Sequence, residues 1–560
     1  LKPRLDMRLV HLLCLSFCLC VTPVWASEHD VAVASAHPLA TQAGIEILEQ
    51  GGNAFDAAVA VTAALAVVEP AGSGLGGGGF WLLHQAETNK DIMVDGREMA
   101  PGKASADMYL NQQGEFEQSR SLNGPLAAGI PGVPAGIVYL SEHYGKLPLK
   151  QSLAPAIRYA LEGFAVGQHY TDMARFRLSA LNQYAASRRQ FLDNGQVPSV
   201  GTVIKQPDLA HTLNNIAQQG KAGFYEGNIA QRLVEAVQQQ GGIWTLDDLQ
   251  HYEVKLRQPI KGLYQGYTIT SAALPSSGGI VMVNALNQLS AFDLADAKTT
   301  QKRHLVIEAM RRSYRDRSRF LGDADFVAIP DYLTSVDYGK QLSDTIDPVH
   351  ATPSPALTDQ SIEGEDTTHF SILDSQGNRV AATLSVNYPF GSGFVAEGTG
   401  VLLNDEMDDF SAPSGAANVY GLVGEKANAI APYKRPLSSM TPTFVENNDR
   451  LLITGTPGGS RIISMVLLSV LDFIEGKSAE VIVAAPRYHH QYLPDEVQVE
   501  NVGFNEQELD ALKQRGHHIT PLSRQYGDMH IIIQDKINST LNAASDPRGE
   551  GQATVTTLEK

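Results

Sequence analysis

Apolar and polar positions change their rhythm several times along this chain, and each change marks an element. From Ala34 to Val68 alanine-rich apolar residues recur at helical spacing, first through Ala43-Gly44-Ile45-Glu46-Ile47-Leu48 and again through Ala54 to Val61. Gly51-Gly52-Asn53 interrupts them, so the pattern predicts two helices with Asn53 as the N-cap of the second. A glycine-dominated run, Gly72 to Gly79, then leads into an apolar strand, Phe80-Trp81-Leu82-Leu83. No Lys-Ser/Thr pair follows the glycines, and the strand comes after them rather than before. That order argues for close backbone packing, not for a phosphate-cradling loop. Gln151 to Asp347 reads as mostly helical, including the stretch from Asn228 to Gln240, and no internal repeat interrupts it. From Thr368 onward the period becomes two: Phe370 and Ile372 against Ser371 and Leu373, then Val380 to Val386. Ser375-Gln376-Gly377-Asn378 between these runs predicts a hairpin turn. Antiparallel return through that turn lays Ser385 to Asn387 beside Thr367, with register deciding which side chains share its face.

That neighbourhood makes Asp366-Thr367-Thr368-His369 the segment of greatest chemical interest. A threonine hydroxyl is a poor nucleophile without an adjacent base. Cutting the Asp366–Thr367 bond would give Thr367 both parts, its Oγ and a free α-amine. The preceding Ser361 to Asp366 is acidic and turn-like, suited to bending back on itself. A Thr-Thr pair that merely opens a strand is the plain alternative.

The 560 residues carry 43% hydrophobic and 19% charged side chains, the profile of a folded protein of more than one ordinary domain or one large two-part unit. A net charge of −18 excludes a phosphate-backbone binder, so no nucleic-acid partner is expected. The one basic run, Arg311 to Arg319, is interleaved with Asp316 and reads as a solvated helix face. At the N-terminus Met7-Arg8, an apolar run from Leu9 to Val21 and Val24-Trp25-Ala26 compose a secretory signal with cleavage after Ala26. The apolar run is too short for a stable membrane span, so a secreted or periplasmic location is expected. All three cysteines, Cys14, Cys18 and Cys20, fall inside this segment, which leaves the mature chain without a thiol nucleophile or disulfide. The acidic run Asp405 to Asp409 lacks the alternating ligands and glycine of a calcium loop, and His489-His490 has no further ligands at metal spacing, so no metal or cofactor is expected. His369 reads as a scaffold residue.

Taken in order, Gly51-Gly52-Asn53-Ala54-Phe55-Asp56-Ala57, Gly74 to Gly79, Asp95-Gly96-Arg97-Glu98, Pro275-Ser276-Ser277-Gly278-Gly279, Asp366-Thr367-Thr368-His369, Glu406 to Phe410, Pro436 to Met440 and Thr456-Pro457-Gly458-Gly459-Ser460 resemble the γ-glutamyltransferases (γ-glutamyltranspeptidases), N-terminal nucleophile hydrolases. The resemblance covers essentially the whole chain after the signal. It implies an α+β fold, an αββα four-layer sandwich, from a precursor that cuts itself before Thr367. Residues 1–26 would be the leader, 27–366 a large subunit and 367–560 a small catalytic subunit, held as a heterodimer in one compact unit. It further implies Thr367 as nucleophile with Ser385 aligning its hydroxyl, and Gly458 and Gly459 as the oxyanion hole. Arg97, Ser438 and Ser439 would take the α-carboxylate of a γ-glutamyl donor such as glutathione, while Asn387, Glu406 and Asp409 take its ammonium. Tyr420, in Asn418 to Gly424, would cover the site as a lid. Acceptors would be water, amino acids or dipeptides. Several bacterial relatives carry glutamine at the position of Glu406 and threonine at that of Ser385, which keeps an acceptor and a hydroxyl. The alternatives are a glutaryl (cephalosporin-type) acylase of the same family, whose substrate lacks the ammonium, and an exported amino-acid-binding protein without catalysis.

Overall fold

The computed structural model describes residues 30–355, 367–412 and 417–559, so the leader with its cysteines, and Asp366, lie outside the described residues. The two predicted N-terminal helices form at Pro38–Glu49 and Ala54–Val68. Asn53 caps the second: its Oδ1 accepts the Phe55 and Asp56 N–H groups at 3.0 Å each, and Asp56 reciprocates by accepting the Asn53 N–H at 3.0 Å. Every residue from Ala54 to Val68 is buried, which explains the absence of a polar face in that run.

Two antiparallel sheets form the middle of the molecule. One has seven strands in the order Gln552–Thr557, Asp30–Ser35, Thr368–Leu373, Arg379–Ser385, Gly78–Gln85, Lys90–Gly96, Lys255–Arg257. The other has six, in the order Thr540–Ser545, His530–Asp535, Arg450–Thr454, Thr443–Glu446, Tyr267–Ser271, Ile260–Tyr264. The period of two sorts the first sheet's side chains into two cores. Val31, Val33, Trp81, Leu83, Phe370, Ile372, Val380 and Ala382 pack against the N-terminal helices, Val133–Tyr144 and Ala154–Glu162. Ala32, Ala34, Phe80, Leu82 and Ala381 face the second sheet, whose Phe444, Leu452 and Ile532 belong to the same core as the helices Gly278–Leu289, Thr299–Phe320 and Ile462–Ile474. The layers are therefore helix, sheet, sheet, helix, as expected for an αββα sandwich. The span from Gln151 to Asp347 is mostly helical, but it also supplies three strands between Lys255 and Ser271 that the helical reading of the region omitted.

The basic run corrects another expectation. It does lie on a helix, Thr299–Phe320, but Arg311, Arg312 and Arg317 are buried rather than solvated. Glu308, one turn earlier, accepts from Arg311 Nε at 3.1 Å and Arg312 Nη1 at 2.7 Å, and Asp495 takes the other end of Arg311. Glu308 is visible at helical spacing. Asp495 is 184 residues away in sequence, so the compensation that permits burial could not be read locally.

Candidate active site

Thr367 immediately precedes the strand Thr368–Leu373, and the hairpin sets its register: Leu384 opposes Thr368, which puts Ser385 opposite Thr367. Ser385 Oγ lies 3.4 Å from Thr367 Oγ1 and accepts the Asn387 N–H at 2.8 Å. The row continues through the sheet. Ser385 pairs with Gly78, and because Gly79 opposes Gly96, Arg97 follows in line at the strand end. Neighbouring strands lie about 4.8 Å apart. Three strand steps thus separate the Thr367 and Arg97 backbones.

The glycine run makes this row possible. A Cβ on Gly76 would sit 1.9 Å from the Leu402 carbonyl oxygen, and one on Gly77 would sit 2.1 Å from that of Ser385. The close-packing reading of the run holds, and only glycine fits. Asn404 locks the loop to the acidic turn: its Nδ2 donates to the carbonyls of Gly76 (2.6 Å) and Gly129 (2.8 Å), while its Oδ1 accepts the Glu406 N–H (3.0 Å).

Within the acidic run the carboxylates divide by role. Asp405 accepts the Tyr388 N–H at 3.0 Å. Asp408 accepts Ser121 Oγ at 2.5 Å and the Val419 N–H at 2.9 Å, which ties down the segment leading to Tyr420. Burial pushes Asp408 up to about 6. Glu406 and Asp409 instead line a cavity of ≈ 280 Å³ together with Thr367, Ser385, Asn387, Ser438, Ser439, Tyr420 and Gly459. Nine of the residues expected at the site therefore share one wall.

Arg97 does not. It is fully buried behind the acidic pair, with Nη1 on Glu406 and Nη2 2.5 Å from Asp409, and Glu98 3.5 Å away. Its Nε donates to the Pro436 carbonyl at 3.1 Å, and Asp95 accepts its N–H at 3.0 Å. Burial alone would lower the Arg97 pKa, but Glu406, Asp409 and Glu98 outweigh it and hold the guanidinium charged. One cation thus faces three carboxylates in a buried space. Burial raises Glu98 well above the usual range, with the Glu406 charge adding to it, and burial lifts Glu406 to about 7 against the pull of Arg97.

A second cation escaped the sequence reading. Buried Arg317 donates Nε to Ser277 Oγ (2.9 Å) and Nη2 to Ser439 Oγ (3.1 Å), so it orients one of the two cavity serines. Its signal was present in the Arg311–Arg319 run but was absorbed into the solvated-face reading.

Gly458 (φ 135°) and Gly459 (φ 54°) both occupy positive-φ backbone, which a side chain resists. A Cβ on Gly459 would also sit 2.4 Å from the Tyr420 ring. Gly459→Ala is expected to lower turnover roughly a hundredfold by misdirecting one amide, the typical cost of losing an oxyanion donor. Steady-state rates on fully cut protein check this; a change below threefold would remove Gly459 from the oxyanion role. Tyr420 closes the cavity by donating its hydroxyl to the Asn387 carbonyl, and its own carbonyl accepts Gln491 Nε2 at 3.2 Å. Asn387 holds φ 76°, a strained conformation for a non-glycine residue at a functional site. His489 supports this arrangement, bonded to Ser464 Oγ (2.6 Å) and Gln491 Oε1 (2.9 Å), and His490 pairs with Asp495. Burial depresses them to about 3 and about 4, so both are neutral packing groups. His369 is buried between Thr383 Oγ1 (2.9 Å) and Ser371 Oγ (3.2 Å), a scaffold position as expected.

The wall thus gathers Thr367, Ser385, Gly459, the acids Glu406 and Asp409 and the serines Ser438 and Ser439. A family model described as Gamma-glutamyltranspeptidase matches residues 40–556. The chain belongs to the γ-glutamyltranspeptidase family. It is 42% identical over 537 residues to the glutathione hydrolase proenzyme of Escherichia coli (strain K12), covering 93% of this chain and 91% of that one. Among solved structures, a cephalosporin acylase from Bacillus halodurans aligns with TM-score 0.84 at 28% identity, over 99% of this chain and 98% of that one. The Helicobacter pylori γ-glutamyltranspeptidase aligns with TM-score 0.56 at 40% identity, over 59% of this chain and 94% of that one. The overall shape is thus shared with an acylase, while sequence identity is greater with the γ-glutamyltranspeptidases. The family and the four-layer fold stand on these agreements. Among the described residues no helix is long and apolar enough to cross a membrane.

Proposed function

We propose that this chain is an exported precursor that cuts itself between Asp366 and Thr367, and that the resulting heterodimer of 27–366 and 367–560 is a γ-glutamyltransferase and glutathione hydrolase. The observation that carries the reading is a hydroxyl pair, Thr367 and Ser385, in one cavity with Glu406 and Asp409. A γ-glutamyl donor is a zwitterion at its α-carbon. Its ammonium would engage Glu406, Asp409 and Asn387, and its carboxylate would engage Arg97 with Ser438 and Ser439. The donor would thereby exchange the internal Arg97–acid pairs for two of its own, its ammonium between Glu406 and Asp409 and its carboxylate on Arg97. A glutaryl group brings a carboxylate but no ammonium, and would strand the two acids. That disfavours the acylase reading despite the shared shape.

In the first step Thr367 Oγ attacks the γ-carbonyl carbon while the Thr367 α-amine takes the hydroxyl proton, with Ser385 holding the hydroxyl in line. Gly458 and Gly459 N–H groups receive the oxyanion. The intermediate collapses to a γ-glutamyl ester on Thr367 as the C–N bond breaks, and the α-amine returns the proton to the leaving amine. Water or an amine then takes the acyl group by the reverse sequence. Before the chain is cut, the Thr367 nitrogen is an amide and cannot serve as base, so the precursor is inactive.

Comparing release from γ-glutamyl and glutaryl anilides tests the reading; faster glutaryl release would reverse it, and release from neither would favour the non-catalytic binding protein. A pH consequence follows from Glu406. Its ionised form holds the ammonium more strongly than its neutral acid, and its raised pKa of about 7 means it protonates as pH falls through neutrality. Donor KM is expected to rise about tenfold between pH 8 and pH 6. Glu406→Gln should flatten that profile, and an equally steep profile in the variant would assign it to another group.

A further inference from the structure

The two charge-binding halves of the cavity come from separate stretches of chain. Glu406 and Asp409 stand on one short turn, Glu406–Asp409, while Ser438 and Ser439 follow Leu437 on another segment. Arg97 joins the halves, since it pairs with both acids while its Nε donates to the Pro436 carbonyl. A second link carries no charge. Asn428 Nδ2 donates to the Asp409 carbonyl at 2.7 Å, and Asn428 Oδ1 accepts the Leu437 N–H at 2.9 Å. One partner can only accept and the other can only donate, so the carboxamide has a single fitting orientation. An aspartate carboxylate could not donate, and glutamine would be a methylene too long. Asn428 is buried and borders a rear cavity of ≈ 300 Å³ with Asp409, Asn418 and Leu437, behind the wall that holds Thr367. Its own turn is firmly seated. Lys434 Nζ donates to the carbonyls on either side of it, Ala427 (2.7 Å) and Ala429 (2.9 Å), and the Asn428 carbonyl accepts the Ser411 N–H (2.9 Å). The serine half is seated too, because Ser277 donates its N–H (2.9 Å) and its Oγ (2.7 Å) to the Ser438 carbonyl.

We propose that Asn428 is a positioning residue that sets the separation between the ammonium-binding and carboxylate-binding halves, and so selects ligands carrying both charges on one carbon. The proposal deepens the γ-glutamyl reading and rests on it. In that reading the donor draws Arg97 off the acids and onto its own carboxylate, so the charged link between the halves is given over to the ligand. The Asn428 link takes no part in that exchange and keeps the halves in register. A ligand with both groups meets two halves already at the right separation, and little has to be ordered as it binds. A ligand with one group engages one half, and the separation does not enter.

The test uses mature enzyme and three simple inhibitors of γ-glutamyl-p-nitroanilide release. L-glutamate carries both groups, glutarate lacks the ammonium, and 4-aminobutyrate lacks the α-carboxylate. Asn428→Ala is expected to weaken L-glutamate about tenfold, in keeping with the loss of two buried hydrogen bonds, and the other two by less than about twofold. For the anilide the loss should fall on KM rather than on kcat. Asn428→Gln keeps both groups but lengthens the strut, so it should weaken L-glutamate selectively in smaller degree, and it carries the test if the alanine variant does not accumulate. Equal weakening of all three inhibitors, as general damage to the fold would give, overturns the positioning role, and so does an unchanged affinity for L-glutamate. If the unaltered enzyme binds L-glutamate no more tightly than glutarate and 4-aminobutyrate, the two-charge reading of the cavity itself falls, and this proposal with it.

Discussion

Thr367→Ala is expected to purify as one uncut polypeptide and to release no γ-glutamyl anilide, a loss of at least about 10⁴-fold, because the substitution removes the hydroxyl proposed to make both acyl bonds. The same hydroxyl is expected to attack its own preceding carbonyl during maturation, so two readouts fail together. The surroundings are already arranged for that hydroxyl, since Ser385 Oγ lies 3.4 Å away and is fixed by the Asn387 N–H. Thr367→Ser keeps the oxygen and loses only a methyl, and should be cut and active at reduced rate. A denaturing gel with N-terminal sequencing of the fragments measures the first readout and anilide release the second. A fragment beginning at residue 367 in the alanine variant would remove Thr367 from maturation, and activity within tenfold would remove it from catalysis.

Arg97→Ala carries the second largest effect, and the structure gives it two parts. Glu406, Asp409 and Glu98 share this one guanidinium, so its removal leaves buried carboxylates uncompensated, at about 3–5 kcal/mol of stability. Donor KM should also rise on the order of a hundredfold as the forked contact to the α-carboxylate is lost. Arg97→Lys restores the charge but not the fork, and should recover more stability than affinity. Adding Glu406→Gln to Arg97→Ala separates the parts: stability returns in part and affinity does not. Denaturant unfolding and steady-state kinetics on the four proteins measure this. Normal donor KM in Arg97→Ala would refute its role in binding.

The local features of the fold were legible. Asn53 announced a cap, Ser375 to Asn378 a hairpin, and the change of period at Thr368 the central strands, because each depends on neighbours within a few residues. Register was not. Whether Ser385 faces Thr367 depends on the first sheet's packing between two cores, which the hairpin alone does not decide. Long-range compensation was equally hidden. Arg311 and Arg317 read as solvent-facing because Asp495 and Ser439 come from distant segments. Arg97 carried a family role, yet nothing in Asp95-Gly96-Arg97-Glu98 told that its charge would be covered by Glu406 and Asp409. A cavity lined by Glu69, His169, Thr367 and Arg524 escaped for the same reason, since these residues meet only when the chain has folded.

The strand order of the larger sheet has a final consequence. Asp30–Ser35 lies between Gln552–Thr557 and Thr368–Leu373, and Gly78–Gln85 pairs with Arg379–Ser385. A cut before Thr367 therefore yields two polypeptides hydrogen-bonded strand between strand within one sheet. They cannot part by dilution, because separating them means dismantling the core. What was a unimolecular folding problem for the precursor becomes a bimolecular one for the product, whose recovery from denaturant depends on concentration. The protein folds once as a single chain, and afterwards its persistence is a matter of how slowly it opens.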